Sequence, residues 1–162
     1  MDYFSLKQLS ERIASRKEDV ALVARRVRHW TNEKLIYTLD EPHSGKGRHR
    51  RYDQEGQMIA AILWELSRYN VPIGVLEKIH SGLKELEDEY IDEVAEGKMS
   101  AKIALKALSG ASPLWLAIIY DENSGNFRCS YIRVKSGIQQ LMEDYSVIIL
   151  NIQKITHRVS NP

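Results

Sequence analysis

The spacing of the apolar residues changes once along the chain, near Ser109–Pro113, and this change limits the folds open to it. Before this segment, apolar residues mostly recur every three to four positions, as in amphipathic helices. After it come three runs rich in β-branched and aromatic residues, which favour strands. The sequence therefore predicts an α+β protein whose helices come first and whose strands mostly belong to a small C-terminal unit.

Two short amphipathic helices are predicted at the N-terminus. Ser5 is a suitable N-cap for the first, and Asp19, after a polar run, for the second. The second helix interleaves apolar with basic residues: Leu22, Val23, Val27 and Trp30 with Arg25, Arg26 and Arg28. Two short helices joined by a few residues are the minimum for a helix-turn-helix.

A β-hairpin is predicted next. Leu35–Leu39 reads as a short strand, Pro42 and the following glycines mark a turn, and His49–Tyr52 reads as the returning strand. Helix, helix and hairpin in this order predict a winged helix-turn-helix, in which the hairpin is the wing.

The tip of this wing is strongly basic, with Lys46, Arg48, His49, Arg50 and Arg51 close together. Residues 1–52 contain 12 Lys and Arg against 7 Asp and Glu, whereas residues 53–162 contain 11 against 15. The basic third predicts a polyanionic partner, because guanidinium groups grip phosphates with two parallel hydrogen bonds. The alternative is that the basic tip of the wing is a solvated loop.

Two more helices follow, over Gln54–Tyr69 and Ile73–Ala95. Alternating spacings of three and four residues on the second of these predict a coiled-coil seam of about two heptads. The predicted dimer interface consists of Leu76, Ile79, Leu83, Leu86 and Tyr90.

The C-terminal segment predicts a β-β-α-β unit. Its strands are the runs LWLAIIYDE, NFRCSYIRV and SVIILNIQKI, and its helix is Gly137–Tyr145. The predicted domains are the winged helix-turn-helix at residues 1–72, the long helix with a short helix near Ala101–Leu108 at residues 73–110, and the C-terminal unit at residues 111–162.

Over residues 3–95 the order of motifs resembles the MerR family of bacterial transcription regulators. The matching segments are VRHWTNEKLI after the start of the second helix, HRRYDQEG at the wing's return, and LSRYNVPIGVLEKI between the third and fourth helices. Lys34 and Asn70 stand where the family has glycine, and His49 replaces a tyrosine. The resemblance implies a homodimer on a pseudo-palindromic site in double-stranded DNA, joined by an antiparallel coiled coil of the fourth helix.

The predicted DNA-binding residues are Arg25, Arg26, Arg28, His29, Lys46, Arg48, His49, Arg50, Arg51 and Tyr52. Arg25 and Arg26 are candidates for reading guanine in the major groove; alternatively they contact phosphates or pair with Glu18 and Asp19. Arg28 contacts the backbone or braces the wing, as its family counterpart implies. Tyr52 either pins the wing to the core or donates its hydroxyl to a phosphate.

Other chemistry finds little support in the sequence. Cys129 is the single cysteine, which excludes an intramolecular disulfide; it is either a structural thiol or an exposed redox sensor. The five histidines show no metal-binding spacing, and no nucleotide-binding or hydrolase motif is present. We expect no enzyme activity, no metal and no cofactor.

The start of the sequence does not resemble a signal peptide, and no apolar run is long enough to span a membrane, so we expect a cytoplasmic protein. The C-terminal unit either binds a small-molecule effector at Trp115, Tyr120 and Tyr131, stabilises a dimer, or docks a protein. The whole chain predicts a sequence-specific transcription regulator. The alternatives are an adaptor for an acidic protein and a non-specific architectural DNA binder.

Overall fold

The computed structural model describes residues 3–15, 17–39, 50–93, 115–132 and 146–160. In chain order its elements are β1 (Phe4–Ser5), α1 (Leu6–Ile13), α2 (Val20–Asn32), β2 (Arg51–Tyr52), α3 (Gln54–Arg68), α4 (Ile73–Glu93), β3 (Trp115–Asp121), β4 (Asn126–Ile132), β5 (Val147–Asn151) and α5 (Ile152–Ser160). This mixture of helices with two small antiparallel sheets confirms the predicted α+β class.

The chain divides into two compact units. The first comprises residues 1–70 and 157–162, and the second comprises residues 71–156. Residues 157–162 thus group with the N-terminal residues, and the predicted domains 1–72, 73–110 and 111–162 lack this grouping. The second unit contains both α4 and the three-stranded sheet, which the sequence had assigned to separate domains.

The first two helices begin at the predicted caps. Ser5 caps α1 in a capping box, in which its hydroxyl accepts from the amide of Gln8 and the Gln8 side chain accepts from the amide of Ser5. The Asp19 carboxylate accepts from the amide of Ala21 at 2.8 Å and caps α2. The caps satisfy amides that have no partner within the helix, and so fix where each helix starts.

The core of the first unit lies between α1, α2 and α3. The side chains of Leu9, Ile13, Val23 and Val27 are fully buried there. The indole rings of Trp30 and Trp64 meet edge to face, with 6.5 Å between their centroids. This packing leaves the opposite side of α2 open to solvent.

Helix α2 ends in a Schellman motif. The amide of Leu35 donates to the carbonyl of Trp30 at 2.9 Å, and the amide of Lys34 donates to that of Thr31 at 3.1 Å. Lys34 therefore adopts a φ of 61°, and Asn70, one residue beyond the C-cap of α3, adopts a φ of 56°. These are the two positions at which the resemblance expects glycine, and both have the left-handed backbone that glycine favours.

We expect Lys34→Gly to stabilise the first unit by about 0.5–1 kcal/mol, because it removes the left-handed penalty of a side chain at the cost of a more flexible unfolded chain. Urea denaturation followed by circular dichroism measures this gain. Asn70→Gly is the matched variant, with a smaller expected gain because asparagine tolerates this backbone better. A destabilised Lys34→Gly protein would contradict the prediction.

The predicted strand Leu35–Leu39 is wrong. Leu35 and Ile36 are both buried, so their side chains do not alternate between two faces as those of a half-buried strand do. The amide of Leu39 in this segment donates a hydrogen bond to the carbonyl of Arg51 in β2. Of the predicted return His49–Tyr52 the structure describes residues 50–52, among which Arg51–Tyr52 forms a strand that pairs antiparallel with β1, with Phe4 opposite Tyr52.

The second unit packs α4 against a three-stranded antiparallel sheet of order β4-β3-β5. The contact is close at Gly82, where an added Cβ would overlap the carbonyl oxygen of Phe127 on β4. Beside it, the buried thiol of Cys129 lies 3.8 Å from the carbonyl oxygen of Ile79. Two alternatives were predicted for Cys129, and its burial supports the structural thiol and not the exposed redox sensor.

This packing corrects the predicted coiled-coil seam. Leu76, Ile79 and Leu83 are buried within the single chain, since α4 lies on β4, and they are not available for a dimer interface in this structure. The side chains of Leu86 and Tyr90 lie outside the described part of the chain. An amphipathic stripe shows that a helix has an apolar face, but the same stripe serves a sheet or a second helix.

The last predicted strand, SVIILNIQKI, is also corrected. Strand β5 ends at Asn151, whose side-chain oxygen accepts from the amide of Lys154 at 2.9 Å and caps α5. Ile152, Ile155 and Val159 are the buried apolar residues of this helix. The predicted helices at residues 101–108 and 137–145 and the boundary at 109–113 lie outside the described residues. Among the helices that the structure describes, none is long and apolar enough to cross a membrane.

Candidate nucleic-acid interface

The exposed face of α2 carries the predicted basic residues. Because the helix repeats every 3.6 residues, Arg25 lies opposite the buried face, His29 lies one turn further along, and Arg26 and Arg28 lie to either side. All four side chains are exposed. The structure therefore gathers these four predicted residues on one helix face.

The three arginines of this face have no hydrogen-bond or salt-bridge partner for their side chains among the described residues. The Nδ1 of His29 lies 3.6 Å from Oε1 of Glu33, which makes an ion pair when the imidazole is protonated. Three guanidinium groups without a partner in the described part of the chain form a cationic surface suited to an anion.

The structure rules out the alternative that Arg25 and Arg26 pair with Glu18 and Asp19. Asp19 caps α2. Glu18 instead accepts hydrogen bonds at Oε2 from the amide of Ser15, at 2.7 Å, and from Nε1 of Trp64, at 3.1 Å. Its Oε1 lies 3.1 Å from Nε of Arg68. Glu18 thereby ties the connection between α1 and α2 to α3, and this positions the start of α2.

These contacts lower the pKa of Glu18 below its ordinary value of 4.5. Burial raises the pKa of this carboxyl, but the hydrogen bonds from Ser15 and Trp64 and the charge of Arg68 together outweigh burial. The carboxylate thus contributes stability above the pKa of the unfolded chain, and that contribution disappears as the pH falls through the folded pKa.

We expect Glu18→Gln to reduce the dependence of the unfolding free energy on pH below about 4.5. At pH 7 the variant should be less stable than the wild type, and the difference should shrink as the pH is lowered towards 3. Urea denaturation at several pH values measures both. The matched control is Glu11→Gln, whose carboxylate lies in an exposed pair with Lys7 and should contribute little at any pH. A difference in unfolding free energy between the wild type and Glu18→Gln that stays constant with pH would contradict this account of the Glu18 carboxylate.

Arg50 links β2 to the end of α2. Its Nη2 donates to the side-chain oxygen of Asn32 at 2.7 Å, and its Nη1 donates to the carbonyl of Arg28 at 3.4 Å. Its positive charge also suits the C-terminal end of a helix. The side chain of Arg50 thus contacts the end of α2, whereas the role that the resemblance implies for Arg28 and the predicted phosphate contact of Arg50 stay predictions.

Tyr52 lies in the core of the first unit. Its side chain is fully buried, and its hydroxyl lies 3.1 Å from Oγ1 of Thr31 on α2. Tyr52 therefore pins β2 to α2 in the core, as the first of its two predicted roles requires. Its neighbour Arg51 is exposed, and its guanidinium lies 5.7 Å from the centre of the Tyr3 ring.

The tip of the predicted wing is not part of the described structure. Lys46, Arg48 and His49 lie outside the described residues, so their predicted phosphate contacts stay predictions.

Contacts of Val159 within the first unit were not predicted from the sequence. The carbonyl of Val159 accepts from Nη1 of Arg12 and from Nε2 of Gln57, each at 3.2 Å. The Arg12 guanidinium also lies 4.5 Å from the centre of the Phe4 ring. Contacts between residues so far apart in sequence leave no local signal, although Asn151 followed by Ile152, Ile155 and Val159 does carry the pattern of a capped helix.

The aromatic residues predicted to line an effector site are partly described. The rings of Tyr120 and Phe127 pack together at 5.2 Å across β3 and β4. Trp115 is partly exposed at the start of β3, and the Tyr131 side chain lies outside the described part. Effector binding at this unit stays a prediction.

Comparison of the chain with models of known protein families finds no match, and comparison with curated proteins finds no relative.

Proposed function

We propose that the chain is a sequence-specific DNA-binding transcription regulator that inserts α2 into the major groove of double-stranded DNA. The observation that carries this proposal is the exposed face of α2, on which Arg25, Arg26 and Arg28 have no intramolecular partner among the described residues. A helix with such a face fits the major groove, and arginine contacts with guanine are the commonest specific contacts there.

The contacts that hold both ends of α2 in place favour this role. Its start is fixed by the Asp19 cap and by the contacts of Glu18, and its end by the Schellman motif and by Arg50. A helix that reads bases must be held in a fixed orientation, because specificity depends on hydrogen bonds of narrow geometry.

The backbone turns after α2 and α3 also agree with the resemblance to MerR-family regulators. Lys34 and Asn70 replace the family's glycines, and both have positive φ. Both positions therefore have the backbone that glycine favours, and this supports the resemblance.

The proposal includes binding of a homodimer to a pseudo-palindromic site, as the resemblance implies. The dimer would have to use a surface other than Leu76, Ile79 and Leu83, which pack within the chain. In each protomer, α2 reads one half-site, and the basic segment Lys46–Arg51 neutralises phosphates beside it.

A titration with competitors tests the class of partner. We expect a labelled random-sequence duplex to bind with an affinity that falls steeply with salt concentration, and unlabelled duplex DNA to displace it. Displacement by an acidic polypeptide of equal charge, with none by duplex DNA, would favour the adaptor for an acidic protein. A low ratio of specific to non-specific affinity would identify an architectural binder.

A further inference from the structure

A large apolar side chain, that of Leu22, lies on the cationic face of α2. Leu22 has 44% of its surface exposed, and it precedes Arg25 and Arg26 by three and four residues. Residues at these spacings are neighbours on a helix surface. Leu22 therefore belongs to the same face as the arginines, and the buried face of α2 does not use it.

The position of Leu22 along α2 is also informative. It lies in the first turn of the helix, which begins at Val20. In helix-turn-helix proteins, side chains near the start of the recognition helix reach the edges of the bases. The apolar group that the major groove offers to such a side chain is the C5-methyl group of thymine.

We propose that Leu22 contacts the methyl group of a thymine in each half-site and so contributes to sequence specificity. The inference rests on the proposed function. Arg25 and Arg26 lie about one helical turn, or about 5.4 Å, beyond Leu22. At about 3.4 Å per base step, this places the thymine within one or two base pairs of the base or phosphate that the arginines contact.

The test compares duplexes that differ by single methyl groups. A bound site is first selected from a random duplex library, and each thymine in it is then replaced singly by deoxyuridine, which lacks the methyl group. Dissociation constants are measured for the full-length wild-type protein, Leu22→Ala and Val20→Ala. Val20 is the matched control because 37% of its surface is exposed in the same turn, while the helical period places it near the side of Val23 and Val27.

For the wild type and Val20→Ala, we expect loss of the methyl at one position of the half-site to raise the dissociation constant about fourfold, the value for burial of one methyl-sized group. The Leu22→Ala variant should bind the duplex with this methyl group and the duplex without it equally well. Because Leu22 is exposed, the variant should fold as the wild type does.

Three results would overturn the inference alone: a selected site without thymine, binding that no methyl group affects, or a methyl effect that survives in Leu22→Ala. Binding without any enriched sequence would overturn it together with sequence-specific reading. No binding of any duplex would overturn the proposed function itself.

Discussion

Replacing Arg25 and Arg26 together by alanine is expected to weaken binding to the selected DNA site by at least about 2 kcal/mol, or roughly thirtyfold in the dissociation constant. Both side chains are exposed and lack an intramolecular partner among the described residues. The loss should therefore appear in binding and not in folding, and the unfolding free energy should change by less than about 0.5 kcal/mol. Fluorescence anisotropy with labelled duplex measures the first quantity and urea denaturation the second.

The single variants Arg25→Ala and Arg26→Ala show whether each arginine contacts a base or a phosphate. Loss of a base contact relaxes sequence preference at one position of the site, whereas loss of a phosphate contact weakens all duplexes alike and lowers the salt dependence by about one unit. The matched control is Lys7→Ala, which removes one exposed positive charge from α1 instead of α2. If this control weakened binding as much as the α2 variants, the effect would reflect net charge and the assigned face would be wrong.

The second large effect is expected from Gly82→Ala, which should destabilise the second unit by about 2–3 kcal/mol. The new Cβ would overlap the carbonyl oxygen of Phe127 and lie 3.4 Å from the thiol of Cys129. The carbonyl belongs to the backbone of β4, so relief requires the helix or the strand to shift, as in other overpacked sites. Thermal or urea denaturation of the full chain measures the change.

Gly74→Ala, on the same helix, is the matched control. A Cβ at Gly74 meets no atom within 4 Å, so alanine there should be neutral or stabilising by up to about 1 kcal/mol. The sign of the stability change caused by Gly82→Ala also tests how α4 packs. If α4 left the sheet to form a coiled coil between protomers, Gly82→Ala would remove a helix-breaking residue and stabilise the protein. A stabilised Gly82→Ala protein would therefore contradict the packing of α4 on β4.

The sequence predicted the first three helices well because their signals are local. Ser5 and Asp19 are N-caps in the structure, as their side chains and positions predict. The apolar residues of α2 at Val23, Val27 and Trp30 form its buried face. A cap or an amphipathic stripe acts within one or two turns, so the residues near it are sufficient to predict it.

The errors arose where packing partners decide the structure. The β-branched run after Ser146 predicted one long strand, but the Asn151 cap ends the strand and starts α5. The stripe on α4 predicted a dimer seam, but Leu76 and Ile79 are buried within the chain, in which α4 packs on β4. A stripe does not identify its partner, and only the tertiary structure supplies it.

The same distinction applies to the candidate site. Exposure of Arg25 and Arg26 follows from the periodicity of α2, which the sequence contains. The contacts of Glu18 with Trp64 and Arg68 join residues far apart in the chain, and the sequence gives no local sign of them. Tyr52 is buried because Thr31 and β1 lie beside it, which again depends on the fold.

Selection of bound duplexes from a random library, at about physiological salt, tests the central claim most directly. The proposed regulator should enrich an inverted repeat, and the Arg25 and Arg26 double alanine variant should lose this enrichment while it remains folded. Enrichment of a single half-site would support reading by α2 but not by a homodimer. If the folded wild-type protein retains no duplex, or retains duplexes without any preferred sequence, the account of α2 as a base-reading helix is contradicted.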